Sequence, residues 1–170
     1  AYELSTAMGA DRVLVGSLDR CGMSDDNGYQ ALLTVQLLDV RKKEAIETIT
    51  VLGTSAADGG SIDYAAENAA DKVIEQITNK KVAANAEPKV ATTAKLTQES
   101  RLILLPFGYP ANDDPSIDIR NQQASIRLYE GIRKRIIDNK ICTVVSYTQS
   151  SPPIYRIIKE GKIKAKDVTA

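Results

Sequence analysis

Carboxylates are the most conspicuous reactive groups of this chain, and they gather in two short stretches. Asn112, Asp113 and Asp114 follow the apolar run "LILLPF", and Asp19, Asp25 and Asp26 follow the run "RVLVGSL". Carboxylates that converge on one point can hold Ca²⁺ or Mg²⁺, which take oxygen ligands. The same residue types are what turns require, and the spacing fits no calcium-loop pattern. These residues are weak metal candidates, and no resident cofactor is expected.

Other routes to chemistry are narrower. The chain contains no His, the commonest general base and a frequent metal ligand. Ser17, Thr143 and Ser146 therefore lack the usual partner that activates a hydroxyl nucleophile. "GADRVLVG" at 9–16 sets its glycines on either side of a strand instead of at the opening of a helix, so it is not a phosphate loop. Cys21 and Cys142 are too few for a disulfide framework and are expected to be unpaired, near opposite edges of a sheet. An enzyme is not expected.

Charge is balanced overall, with 22 basic and 22 acidic residues, which argues against general nucleic-acid binding. It is unevenly placed, though. Residues 1–100 carry 10 basic and 15 acidic residues, and residues 101–170 carry 12 and 7. Either both halves present solvated surfaces or they attract one another. The run Arg133-Lys134-Arg135 suits the end of a helix and a wet face. "KEGKIKAK", with Lys159, Lys162, Lys164 and Lys166, adjoins a chain end and is the better candidate for a partner surface. Tyr109 and Tyr155, near prolines, fit either exposed contacts or packing. No apolar run is long enough to span a membrane.

The elements that position these groups follow from periodicity. Residues 12–18 read as a buried strand, and "CGMSDDNG" as a polar turn. Alternation over 29–40, with Ala31, Leu33, Val35 and Leu37 on one face, and again over 45–53, predicts an antiparallel hairpin closed by "RKKE". Ser61 or Asp63 caps a helix with the stripe Ile62, Ala66, Ala69, Ala70, Val73, Ile74 and Ile77. The second half predicts a strand at 102–107 and a helix over about 117–138. Ile119, Ile126, Tyr129, Ile132, Ile136 and Ile137 are assigned to its buried side. A strand at 141–147 and a short helix ending at Gly161 complete the chain. Residues 81–100 read as a linker between two half-units, 1–80 and 101–170.

The two chain ends suit one another. Asp167 is a good helix cap with almost no helix after it, and Gly9 is a good helix stop for a segment with no start. Read end to end, "DVTAAYELSTAMG" is one complete helix with Leu4 and Met8 on its apolar side, so both are candidate interaction residues. The resulting order is a three-layer-type α/β unit: a mixed sheet of three parallel strands plus an antiparallel hairpin, flanked by helices. The halves are a circular permutation, a slice of a tandem array, or are completed between chains.

In that reordered form, "RLILLPF", "VVSY", "GADRVLVGSL" and "LTVQLLDVRKKEAIETITVLGTS" resemble the TolB amino-terminal-like family of bacterial envelope domains. The family includes the curli-secretion channel lipoprotein. Gly9-Ala10-Asp11 and Leu38-Asp39-Val40 carry most of the resemblance. Many relatives have Gly at the hairpin position held here by Lys43. The resemblance implies a non-enzymatic domain of the periplasm or cell surface that binds proteins, as a homo-oligomer or beside a neighbouring repeat. The alternative expectation is a ligand- or divalent-ion-binding module built on the acidic loops.

Overall fold

The computed structural model of the chain describes residues 1–25, 27–55, 60–78 and 96–168. Nine helices and strands and one 3-10 turn run in the order α1 (Tyr2–Ala7), β1 (Arg12–Met23), β2 (Tyr29–Asp39), β3 (Glu44–Thr54), α2 (Ile62–Thr78), β4 (Arg101–Leu104), α3 (Pro115–Asp138), β5 (Thr143–Val144), α4 (Pro152–Lys159) and η1 (Ala165–Val168) among the described residues. The strands make one five-stranded mixed sheet in the order β3-β2-β1-β4-β5. β1, β4 and β5 are mutually parallel, and β2 and β3 extend the sheet antiparallel. Both halves of the chain therefore meet in a single sheet, where β4 pairs with β1 through Arg12 to Leu102 and Leu14 to Leu104.

The hairpin alternates as its sequence requires. Ala31, Leu33, Val35 and Leu37 are all fully buried, as are most of α2's Ala and Val positions, Ala65 among them. That face of the sheet carries α2 and α3 and forms the main core. Gly53 lets α2 come close: a Cβ there would stand 1.9 Å from the Ala65 carbonyl oxygen. On the other face, a smaller cluster of Leu4, Ala10, Ile103, Tyr147, Ile154, Ile157 and Val168 lies under α1, α4 and η1. Beside it on the same face, Val13, Leu38 and Val40 form a third small cluster, and farther along β1–β3 the face turns polar with Ser17, Thr34, Gln36 and Thr50.

Several boundaries differ from those read in the sequence. β1 runs on through Cys21-Gly22-Met23, so the turn is confined to 24–28. β4 stops at Leu104, ahead of Pro106, which has no N–H to give a ladder. Its neighbour Gly108 still bonds β1 through Leu18 N–H (2.8 Å) and the Gly16 carbonyl (3.0 Å). β5 keeps two residues of the seven expected. Ile119, Ile126 and Ile137 are 53%, 49% and 44% exposed, and the buried line of α3 is Asn121, Ala124, Ser125, Leu128, Ile132 and Ile136. Of the expected linker, residues 81–95 lie outside the described residues, while Leu96 is buried in the core and Ser100 closes a turn on Thr97.

The chain ends meet, but not as one described helix. α1 ends on Gly9 at φ +66°, as its stop requires, and the backbone of Asp167 lies in the 3-10 turn η1. Leu4 and Val168 share one cluster. Thr169 and Ala170, which would join them, lie outside the described residues.

The hairpin turn is held by a carboxylate. The Asp39 carboxylate accepts the N–H groups of Arg41 and Lys42, both at 2.9 Å, and pairs with Arg12 at 3.0 Å. These contacts, the Lys42 N–H foremost, hold its pKa below the usual carboxylate value. Lys43 then takes φ +57°, a left-handed conformation that Gly adopts at less cost.

Candidate functional site

Among the acidic residues singled out in the sequence, Asp114 and Asp19 have local structural work. Asp114 caps α3: its carboxylate accepts from the Ser116 hydroxyl at 2.7 Å and the Ser116 N–H at 2.9 Å. These bonds lower its pKa, the hydroxyl foremost. Asn112 accepts the Asp114 N–H at 2.9 Å, and Asp113 stands exposed beside it. Asp19 is not in a loop. It occupies the bulge in β1 between Leu18 and Arg20, and accepts from Ser17 (2.7 Å) and Thr34 (2.6 Å) on the polar sheet face. Asp25 is exposed in the 24–28 turn, and Asp26 lies outside the described residues. No group of three or more His, Cys, Asp or Glu is placed to hold a metal ion among the described residues. Both cysteines are free. Burial pushes Cys21 up and Cys142 up to about 11.

The charge imbalance between the halves has a direct counterpart where α2 meets α3. Asp63, Glu67, Asp71 and Glu75 recur every four residues, one stripe along α2. Arg135 of α3 reaches two of them, Asp71 at 2.6 Å and Glu67 at 3.0 Å, and Arg127 approaches Asp63 at 3.8 Å. So the basic run at 133–135 is split by the helix period. Arg135 faces α2, Lys134 pairs with Asp138 at 2.7 Å, and Arg133 turns to the other side. Arg133 there borders a groove of about 650 Å³ between α3 and β5, with Tyr129, Ile137, Val144 and Tyr147. Burial pushes the Tyr147 hydroxyl up to about 12.

Of the expected interaction residues, Lys159 ends α4 and Lys162, Lys164 and Lys166 follow it, all four exposed. Lys162 pairs with Glu160 at 2.9 Å and lowers its pKa, and Arg156 approaches the same carboxylate at 3.4 Å. Leu4 is 4% exposed, covered by this chain's own second half, and Met8 packs at the edge of the same cluster. Tyr155 is exposed, whereas Tyr109 packs on the main core.

The surface feature that sequence reasoning missed lies on α3. Ile119 and Ile126 are seven residues apart, and Ile119 and Ile137 eighteen. At 3.6 residues per turn these intervals bring all three within about 20° of one line. Leu128 and Ile132 fall on the opposite side and Ile136 about a quarter turn from the line, and all three are fully buried. The signal was present as two separate apolar stripes on one helix. Comparisons of the chain with known protein families, curated proteins and solved structures find no match.

Proposed function

We propose that this chain is a non-enzymatic module that works by protein–protein contact, with the outer face of α3 as its working surface. The observation that carries this reading is the exposed line of Ile119, Ile126 and Ile137, opposite the helix's core side. Exposed isoleucines scattered singly are ordinary, but three in one line on a rigid helix make a contact stripe. α3 is well suited to present it: the helix is capped by Asp114 and tied to α2 by Arg135. The compartment follows from the resemblance to envelope domains, so the periplasm or bacterial cell surface is the place proposed for it.

A photoreactive side chain installed at position 126 tests the reading in the cells that make the protein. Illumination should give discrete protein adducts there, and few or none when the same group is placed at exposed Gln76 on α2. Equal labelling at both positions, or none at either, would remove the reading.

A further inference from the structure

The outer stripe of α3 has a finer pattern than three isoleucines. Ile119, Gln123, Ile126, Glu130, Arg133 and Ile137 are spaced alternately four and three residues apart. That is the seam of a helix that packs against another helix, alternating between the two core positions of a heptad. Glu130 and Arg133 occupy the middle of the seam, and neither makes an ion pair among the described residues.

We infer that α3 pairs antiparallel with α3 of a second copy, about a two-fold axis midway between residues 131 and 132. The inference rests on reading the chain as a contact module and names its partner. In an antiparallel pair, layers form between unlike core positions of the two helices. About this axis, Glu130 meets the partner's Arg133 and Ile126 meets the partner's Ile137, and symmetry repeats both layers. Two opposite-charge layers are thus flanked by two isoleucine layers. Shifting the pairing by one heptad loses the charge match. It keeps an isoleucine layer, Ile119 against the partner's Ile137, but sets Ile126 against the partner's Glu130 and Gln123 against the partner's Arg133, which leaves charges without partners.

The same pattern disfavours a generic apolar partner, which would have to cover a carboxylate and a guanidinium without pairing them. A two-fold contact of this kind is closed, so it yields dimers and not filaments. One helix pair is a small interface, which points to reversible, concentration-dependent association.

Sedimentation velocity from micromolar to near-millimolar protein tests the pairing. The chain should pass from monomer to dimer. Glu130→Arg and Arg133→Glu each set like charges opposite one another and should each weaken the dimer by about tenfold or more. The double variant should recover wild-type association to within about threefold, since the facing pair is restored in reverse. Ile137→Ser should weaken it, whereas Ile119→Ser, which faces no isoleucine in this register, should not. A monomer at every concentration, or a double variant no better than the singles, overturns the inference. An Ile119→Ser loss equal to that of Ile137→Ser overturns the register. Thermal unfolding of each variant, expected within about 2 °C of wild type at these exposed sites, shows that the fold is intact. If the chain stays monomeric while position 126 still crosslinks to a different protein in cells, the self-pairing falls and the module reading stands.

Discussion

The two sides of α3 use the same kind of branched aliphatic side chain for opposite ends. On the inner side Leu128, Ile132 and Ile136 are fully enclosed by the sheet and α2; on the outer side Ile119, Ile126 and Ile137 are about half exposed. Each inner side chain contributes roughly 1.5–3 kcal/mol by leaving water. The outer ones leave water only in part, so the fold by itself draws much less from them. The difference teaches that isoleucine content alone does not locate a core. What separates the two sides is angle around the helix, and what each side meets: a close alanine-rich neighbour within, and solvent without.

The sharpest way to break the comparison is a matched pair of truncations. Ile132→Ala should cost about 2–5 kcal/mol, as a cavity in a packed core does. Ile126→Ser should stay within about 0.5 kcal/mol of wild type for the monomer. Urea denaturation at low protein concentration measures both, and equal losses would mean that the outer line belongs to the core.

Gly53 tests what holds the inner side in place. A Cβ there would meet the Ala65 carbonyl oxygen at 1.9 Å and Ala69 at 2.7 Å, so α2 would have to lift and α3 would lose its neighbour. Gly53→Ala should cost about 3 kcal/mol by the same denaturation. An unchanged midpoint would show that the α2–β3 seat is not fixed.

Arg135 marks the border between the sides. Its guanidinium bridges Asp71 and Glu67 and donates to the Gly131 carbonyl at 3.2 Å. Arg135→Ala should cost about 1–2 kcal/mol at neutral pH. The deficit should shrink as ionic strength rises, because salt screens the α2 acids left unpaired. A salt-independent deficit would indicate lost packing instead of lost charge pairing.

Much of this was legible in the sequence. Period-two alternation fixed the hairpin face through Ala31, Leu33, Val35 and Leu37, and the Ala/Ile stripe identified α2. The two sides of α3 were not separated, because a helix with apolar residues on both sides has no single direction for a periodicity argument to find. β5 shrank because pairing with one neighbour at an edge sustains only part of an apolar run. Asp19 was placed in a loop because the strand continues through polar residues on a solvent-facing side, where no hydrophobic signal marks its extent. The split of Arg133, Lys134 and Arg135 into three directions followed from the helix period, and could have been drawn from it.

The smallest effect expected is a gain. Lys43→Gly relieves a left-handed backbone at the hairpin turn and should stabilise the monomer by about 0.5 kcal/mol after the added flexibility of the unfolded chain is counted. It lies away from α3, so self-association should not move with it. A parallel change in association would mean that the outer seam depends on overall stability and has no separate role.

Disulfide trapping tests the central claim, that the outer side of α3 is a seam for a second copy, most directly. In chains with Cys21 and Cys142 replaced by Ala, one population carries Ile126→Cys and the other Ile137→Cys. Mixed and mildly oxidised, they should form the 126-to-137 heterodimer well ahead of either homodimer, since a disulfide needs Cα atoms within about 7 Å. An Ile119→Cys population mixed with Ile137→Cys should trap little. Preferential 119-to-137 trapping, or no preference among the pairs, would contradict the account.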